Sequence, residues 1–416
     1  ALNDNVFKQS LLLVITYGLI QQQSASISTL NNLAALLFIL PYFIFSATAG
    51  QIADKYERSF LVRNIKILEI VIMLIASVGF LLGNLGLLLF ALFLMGTHST
   101  FFGPIKYAIL PDILKPNELM SGNALFQSGT SIAILIGMIL GGAVISSSQG
   151  NLIWISLTII TIAIIGYGCS RFVLKQTSTN LDLVIDWNFF RTSFQTIQYA
   201  KSLPLIFLIL MGNSWYWFYG ATYLTQIPQL TQQNLHANEN VVSLLLTLFS
   251  VGIGVGSLLC RKIGGTEVNI KMVPLGAIGL TVFALYLAAS LAFIPVRTGD
   301  FIGISEMFSL GLAYYHVMLA VTLLGISGGF YIVPLYAMMQ AYAPKSHRAR
   351  VVAANNIFNA IFMVCSAVFS IIILSILKID IKILFCITAI LSAIFSIWLL
   401  LRLKPLTAST HIFLED

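Results

Sequence analysis

Twelve apolar stretches follow one another along this chain of 416 residues, and each is close to the ~20 residues that cross a bilayer as a helix. Only 9% of the residues are charged, against about 25% in a typical soluble domain. Inside a bilayer the backbone must satisfy its own hydrogen bonds, so such stretches fold as helices. The sequence therefore predicts an all-α membrane protein with twelve transmembrane helices, near residues 1–20, 30–50, 61–82, 86–110, 120–146, 150–173, 203–224, 239–260, 270–294, 309–337, 351–377 and 380–402.

Basic residues are distributed unevenly between the connections that join these stretches. The connections after even-numbered stretches hold most of them, whereas those after odd-numbered stretches hold Arg297, Lys378 and Lys382. In membrane proteins the cytoplasmic connections carry the excess of Lys and Arg. We therefore expect both chain ends to be cytoplasmic. The net charge of +7 follows from this bias, and we expect no nucleic-acid partner.

One long connection divides the stretches into six plus six. The sequence predicts an N-terminal six-helix bundle at 1–173, a cytoplasmic linker at 174–202, a C-terminal six-helix bundle at 203–404 and a cytoplasmic tail at 405–416. In the linker, apolar residues recur at helical spacing and predict an amphipathic helix lying in the membrane interface, namely Trp187, Phe190, Phe194 and Ile197. This helix either tethers the two bundles or has a regulatory role.

The two halves also repeat one another in sequence. The run from Gly50 to Arg58 after the second stretch is echoed by Gly256 to Lys262 after the eighth. Asn123-Ala-Leu-Phe is echoed by Asn355-Asn-Ile-Phe in the other half. The two echoes together predict a duplicated six-helix unit.

The run Gly50-Gln-Ile-Ala-Asp54-Lys-Tyr-Glu-Arg58 resembles the cytoplasmic signature of the major facilitator superfamily. That resemblance implies the major facilitator fold, with twelve helices in two six-helix bundles. It also implies that Asp54 and Arg58 are gating residues, and that Gly50 lets neighbouring helices approach closely. The alternative is an ordinary basic loop.

Asp4 and Lys8 lie inside the first predicted helix, and Lys106 lies near the cytoplasmic end of the fourth. A charge near the bilayer centre costs at least ~2.5 kcal/mol and is a functional hypothesis by default. Asp4 lies ~24 Å from the outer end of its helix at 1.5 Å per residue, a depth that matches Lys106. The alternatives are a local Asp4–Lys8 ion pair and a Lys106 side chain that extends to the interface.

Two segments are distinctive: Asn3-Asp4-Asn5 with Lys8, and Phe102-Gly-Pro-Ile-Lys106-Tyr-Ala-Ile-Leu-Pro-Asp112. They resemble the bacterial lysophospholipid transporter family, which includes versions fused to an acyltransferase. The resemblance implies that Asp4 and Lys106 line the substrate cavity. A carboxylate and an ammonium at one depth suit a zwitterionic headgroup, with Asp4 at the amine and Lys106 or Lys8 at the phosphate. The family pattern also has a basic residue on the seventh helix, whereas residues 212–225 here carry no charge.

Further polar side chains in the first, fifth and eleventh stretches complete the candidate substrate-binding set. They either line the cavity or only join packed helices, and they are Asn3, Asn5, Asn123, Gln127, Asn355 and Asn356. His98, in the middle of the fourth stretch, either packs between helices or senses pH.

The sequence contains no phosphate-binding loop, no histidine cluster with metal-ligand spacing and no Gly-x-Ser-x-Gly motif, so we predict a transporter and not an enzyme, with no cofactor. The expected function is movement of lysophosphatidylethanolamine or a related lysolipid to the inner leaflet of a bacterial inner membrane for reacylation. The expected partners are this lysophospholipid, membrane lipids and an acyltransferase domain or protein.

Two alternatives for the function stay open. One is a proton-coupled exporter of a drug or siderophore, in which Asp4 titrates, and the other is a membrane anchor module of an acyltransferase. Because the first residue is not Met, we expect sequence before Ala1, and any fused acyltransferase lies outside these residues.

Overall fold

A computed structural model describes residues 1–16, 27–147, 151–175, 182–265, 268 and 270–412. In these residues the regular secondary structure is helical, apart from one isolated β-bridge between Ala237 and Ile302. The α-helices are α1 Leu2–Thr16, α2 Ile27–Lys55, α3 Arg58–Leu81, α4 Leu85–Ala108, α5 Leu110–Ile113, α6 Leu119–Ser147, α7 Ile153–Ser170, α8 Phe189–Ser202, α9 Pro204–Gln233, α10 Glu239–Gly264, α11 Val273–Ser290, α12 Ile304–Ser309, α13 Leu312–Tyr342, α14 Arg348–Ile371 and α15 Ile381–Ile412.

Each of the twelve apolar stretches coincides with a helix: α1 to α4, α6, α7, α9 to α11 and α13 to α15. Within the described residues, ten helices are long and apolar enough to cross a bilayer, and α8 with α9 forms a further candidate as a bent pair. Residues 17–20 of the first stretch lie outside the described residues. The helix α15 continues through Pro405 into the predicted tail, of which 413–416 lie outside the described residues. The chain is thus a multi-pass membrane protein.

The outer surfaces of these helices are apolar. Ile164, Ile278 and Leu401 are more than half exposed, as are many other large apolar side chains. A soluble protein rarely exposes contiguous apolar surface of this extent. Lipid tails are the environment that such a surface fits.

The chain divides into two compact units by packing. The first unit comprises Ala1–Ile113, Ala133–Ser202 and Ala343–Ala360, and the second comprises Leu114–Ile132, Leu203–Tyr342 and Ile361–Asp416. These boundaries cut α6 and α14, so the division into bundles at 1–173 and 203–404 stays a prediction. In the core of the first unit, Phe7 of α1 meets Phe80 of α3 edge to face, with ring centroids 5.9 Å apart.

In the second unit, α10 and α13 pack with their backbones in contact. A Cβ added at Gly256 would lie 2.1 Å from the carbonyl oxygen of Ile326, and one at Gly329 would lie 2.6 Å from the carbonyl carbon of Gly256. Gly252 and Gly325 repeat the contact about one turn away. Small residues four apart on both helices permit this approach, and close packing is a main source of helix association in lipid.

The predicted linker helix is present as α8, and it has two unlike faces. Phe190 and Phe194 are exposed, whereas Thr196 is buried. Phe189 at the start of the helix lies edge-on to Phe45 of α2, with ring centroids 5.0 Å apart. An exposed aromatic face suits the membrane interface, and that location stays a prediction.

A turn around Asp186 attaches the start of α8 to α2. The Asp186 amide donates a hydrogen bond of 2.9 Å to the side-chain oxygen of Gln51. The Asp186 carboxylate accepts hydrogen bonds from the backbone of Asn188 and from Arg191 Nε, which together hold its pKa below the ordinary value. The start of α8 is therefore attached to α2 of the first unit.

Replacing Gly256 with Ala is expected to lower the thermal stability of the purified protein, because the new methyl group would push α13 away from α10. Overpacking of this kind costs about 1–3 kcal/mol. The measurement is the Tm in detergent. Gly254→Ala is the matched control, since a Cβ there would meet its nearest atom at 4.0 Å, an ordinary contact. Equal effects of the two substitutions would contradict the proposed backbone contact.

Candidate functional site

Asp4 lies on α1 with its carboxylate against α4. Its Oδ2 accepts a hydrogen bond of 3.2 Å from Ser99 Oγ, and its Oδ1 lies 3.1 Å from the nitrogen of Ala1. The side chain is 16% exposed, so the carboxylate is not sealed in the core. Tyr42 of α2 lies beside the same serine. Asp4 is thus a partly accessible acceptor that a hydroxyl group of α4 holds in place.

Lys106 lies on α4, two helical turns beyond Ser99. It interacts electrostatically with Asp4, which brings the two predicted headgroup ligands into one region of the first unit. Its Nζ lies 4.8 Å from the ring centroid of Tyr107. The carboxylate and the ammonium therefore lie in one region of the first unit, and their common depth in the bilayer stays a prediction.

Lys8 does not form the local ion pair that its spacing from Asp4 permits. Its Nζ lies over the ring of Phe38 on α2, 5.4 Å from the centroid, and the ion pairs within 4.0 Å among the described residues do not join it to Asp4. The local ion pair is therefore not what stabilises Asp4, and a role for Lys8 at a substrate phosphate stays a prediction.

Asn356 of α14 lies against α4 close to Lys106. A Cβ added at Gly103 would lie 3.0 Å from Asn356 Nδ2, and Gly103 precedes Lys106 by one turn. Within the described residues this buried amide nitrogen has no hydrogen-bond partner. A buried donor left without an acceptor costs about 1–3 kcal/mol. A ligand oxygen at this point would remove that cost.

Asn3 and Asn5, the neighbours of Asp4, are placed among packed helices. Asn3 is buried and donates hydrogen bonds to Glu69 Oε1 at 2.9 Å and to the carbonyl of Ile159 at 3.1 Å. Asn5 is buried beside Gly137 of α6. Their predicted contact with substrate is untested, and the contacts observed here are structural.

Glu69 forms the centre of a buried charged cluster that the sequence reasoning missed. Its side chain is 3% exposed, and its Oε2 lies 2.6 Å from Lys66 Nζ and 3.3 Å from His98 Nε2. His98 is thereby placed between helices against a carboxylate. The available signal was the charged pair Lys66 and Glu69 three residues apart inside the third apolar stretch.

The polar positions of the fifth and eleventh stretches differ in their surroundings. Asn123 and Gln340 of α13 exchange two buried side-chain hydrogen bonds of 2.8 and 3.0 Å. Gln127 is half-buried, and Asn355 is fully buried on α14. The Asn123–Gln340 pair shows the joining of packed helices, and binding of substrate by Asn123, Gln127 and Asn355 stays a prediction.

The predicted gating residue Asp54 receives the beginning of α14. Its carboxylate accepts hydrogen bonds from the backbone nitrogens of Ala349 at 2.9 Å and Arg350 at 3.3 Å, and from Arg350 Nε at 3.2 Å. Gly50 lies one turn earlier, where a Cβ would come within 2.7 Å of Ala353 Cβ. A carboxylate at a helix N-terminus is stabilised by the exposed amides and the helix dipole. Asp54 therefore binds α2 to α14.

Arg58 continues this network into the turn after α4. Its guanidinium is 1% exposed, donates to the carbonyl of Ala108 at 3.2 Å and forms an ion pair with Asp112. Asp112 also accepts from Arg348 of α14 at 3.1 Å. The sequence predicts no role for Asp112, and its place between two arginines comes from the structure.

The family model described as Major Facilitator Superfamily matches residues 5–227 and 216–413. The lysophospholipid transporter LplT of Cronobacter sakazakii is 25% identical over 82% of this chain and 79% of its own length. Its namesakes in Yersinia enterocolitica and Shigella sonnei are 22% and 23% identical, over 82% and 75% of this chain and 77% and 71% of theirs.

Solved structures show the same fold. A bacterial homologue of the iron transporter ferroportin in an outward-facing state has a TM-score of 0.66 at 13% identity, over 96% of both chains. The E. coli fucose:proton symporter FucP has a TM-score of 0.67 at 13% identity, over 96% of this chain and 97% of its own. At such identities the likeness concerns the fold alone.

Replacing Asp54 with Asn is expected to loosen the tie between α2 and α14, because three charge-assisted hydrogen bonds lose their anion. Hydrogen bonds to charged groups contribute about 1.5–3 kcal/mol each, so the open population should rise about tenfold or more. The measurement is the alkylation rate of a thiol introduced by Asn356→Cys, with the natural cysteines replaced.

Glu118→Gln is the control for this experiment, because it removes an exposed carboxylate from the turn between α5 and α6. An alkylation rate that Asp54→Asn leaves unchanged, or that both substitutions raise equally, would contradict a latching role for Asp54.

Proposed function

The chain belongs to the major facilitator superfamily, and on that basis we propose that it is a transporter of lysophospholipids. The observation that carries the proposal is the joint placement of a carboxylate, an ammonium and an unsatisfied amide at Asp4, Lys106 and Asn356. Relatives of 22 to 25% identity that bear the name lysophospholipid transporter support this choice of substrate. The proposed cargo is lysophosphatidylethanolamine or a closely related lysolipid.

The charges of the site complement a zwitterionic headgroup. Asp4 accepts hydrogen bonds from the ammonium group of the substrate, while Lys106 and Asn356 Nδ2 donate to its phosphate oxygens. Charge-assisted hydrogen bonds of this kind are about twice as strong as neutral ones. The headgroup thus supplies the acceptor that Asn356 lacks among the described residues.

An acyl chain needs an apolar wall beside these charges. Phe38 and Tyr42 follow one another along α2, with ring centroids 6.2 Å apart. Phe38 lies under the Lys8 ammonium, and Tyr42 lies beside the serine that binds Asp4. Aromatic rings next to a charged pair favour an amphipathic substrate over a soluble ion.

The network around Asp54 and Asp112 has the position of a gate in the proposed cycle. In this proposal the basic ends of the helices face the cytoplasm of a bacterium, in whose inner membrane the protein lies with both chain ends inside. The network holds the cytoplasmic side closed while lysolipid enters, and it separates as two bundles rock around the site. Lysolipid moves down its gradient to the inner leaflet without a coupled ion, and an acyltransferase domain or protein reacylates it there.

The proposal predicts the effects of two substitutions on uptake of labelled lysophosphatidylethanolamine by spheroplasts. Asp4→Asn and Lys106→Ala should each reduce the initial rate at low substrate about 10- to 100-fold, because each removes a charge-assisted contact of about 1.5–3 kcal/mol. Lys115→Ala is the matched control for the second substitution, since Lys115 is exposed in the turn before α6 and should leave uptake unchanged.

A protonophore distinguishes the mechanisms in the same assay. Uptake that persists when the proton gradient collapses agrees with downhill movement, whereas loss of uptake would favour proton coupling. The absence of any uptake by the unsubstituted protein would contradict lysophospholipid transport. Full uptake by both substituted proteins would contradict the assigned site and favour a membrane anchor role.

A further inference from the structure

A buried carboxylate in α3 is the centre of a cluster that includes residues of four helices of the first unit. Glu69 binds Lys66 one turn earlier on the same helix at 2.6 Å, and Asn3 of α1 at 2.9 Å. It also lies 3.3 Å from His98 of α4, while Asn3 donates a second hydrogen bond to Ile159 of α7. The titratable and charged groups that face Glu69 from these helices are thus Lys66 and His98.

Two adjacent residue pairs connect this cluster to the proposed headgroup site. On α1, Asn3 binds Glu69 while its neighbour Asp4 accepts from Ser99. On α4, His98 faces Glu69 while its neighbour Ser99 donates to Asp4. Neighbouring residues on a helix point about 100° apart, so each pair presents one side chain to Glu69 and one to the Asp4–Ser99 contact.

An aromatic ring of α4 adds a contact between this cluster and α3. The Lys66 ammonium lies 4.9 Å from the ring centroid of Phe102. His98 stacks on that ring, with centroids 6.1 Å apart and planes inclined by 8°. Phe102 is on the same helix as Lys106, one turn before it. The cluster therefore joins α3 to α1 and to α4, the two helices that carry the proposed headgroup ligands.

We infer that Glu69 is a positioning residue for lysolipid transport and holds Asp4 at the substrate amine. On α1 it acts through Asn3, the neighbour of Asp4. On α4 it acts through His98, the neighbour of Ser99, which binds Asp4. The inference rests on the proposed function. Glu69 acts without touching the substrate. Burial of a carboxylate is a poor way to gain stability, since apolar residues of similar volume often pack as well. Glu69 contacts the sequence neighbours of both Asp4 and Ser99, and holding that contact in place is a functional reason for burying the carboxylate.

A double-substitution cycle tests this inference through initial rates of lysophosphatidylethanolamine uptake. Glu69→Gln keeps the shape and the acceptor for Asn3 but removes the charge that attracts Lys66 and His98. If Glu69 acts through Asp4, its substitution should reduce uptake about tenfold, mainly by raising KM. An effect of this size lies within the range of interaction energies measured between coupled residues. Adding it to Asp4→Asn should then cause no further loss. If the double substitution reduces uptake by the product of the two single effects, the inference is overturned.

A second substitution keeps the test valid if Glu69→Gln fails to fold. Asn3→Ala leaves Glu69 with Lys66 and His98 and removes the hydrogen bonds of Asn3 to Glu69 and to Ile159 of α7, and it should raise KM in the same way. Ser77→Ala is the matched control on α3, because the buried Ser77 hydroxyl also binds across to α7 at Ser156 but lies about two turns from Glu69. If Ser77→Ala raises KM as much as Asn3→Ala does, the inference is overturned.

A readout without substrate separates this inference from the proposed function. In protein without its natural cysteines, a thiol introduced by Ser99→Cys should be alkylated several times faster or slower when Asn3→Ala or Glu69→Gln is added, and unchanged by Ser77→Ala. An unsubstituted protein that takes up no lysolipid would contradict the proposed function, and the alkylation rates would still decide on positioning. Rates that neither substitution changes would overturn the inference.

Discussion

Charge burial in a bilayer is the constraint on which this structure depends. A charged side chain there costs several kcal/mol unless hydrogen bonds, an opposite charge or water compensate it. Asp54 meets this requirement with two backbone amides and a guanidinium, and Glu69 meets it with an ammonium, an amide and an imidazole. Each compensation joins different helices, so the charges determine which helices stay together.

The candidate headgroup site differs from these two clusters in its accessibility. The Asp4 side chain is 16% exposed, against 3% for Glu69 and 0% for Asp54. A carboxylate with an accessible face can bind a ligand, whereas a buried one only holds its helices together. Under the proposed function, the buried Glu69 cluster supports the partly exposed site beside it.

The sequence was sufficient to predict the helices, because a bilayer admits few other backbone structures. The twelve apolar stretches therefore coincide with helices, although α9 and α15 extend beyond the predicted ends. The rotation of each helix about its own axis could not be predicted from the sequence in the same way. Asn3 and Asp4 are adjacent and both polar, yet one joins the cluster around Glu69 and the other faces Ser99. Glu69 itself was missed because its partners Asn3 and His98 lie on other helices, far away in the sequence.

Direct binding to the purified protein tests the central claim, that Asp4 recognises the amine of a lysolipid headgroup. Affinities are compared for lysophosphatidylethanolamine and for lysophosphatidic acid, which carries the phosphate but lacks the amine. The account predicts that the unsubstituted protein prefers the amine-bearing lipid by about tenfold or more, the value of one charge-assisted contact, and that Asp4→Asn abolishes this preference. A preference that survives Asp4→Asn, or an equal loss of affinity for both lipids, would contradict it.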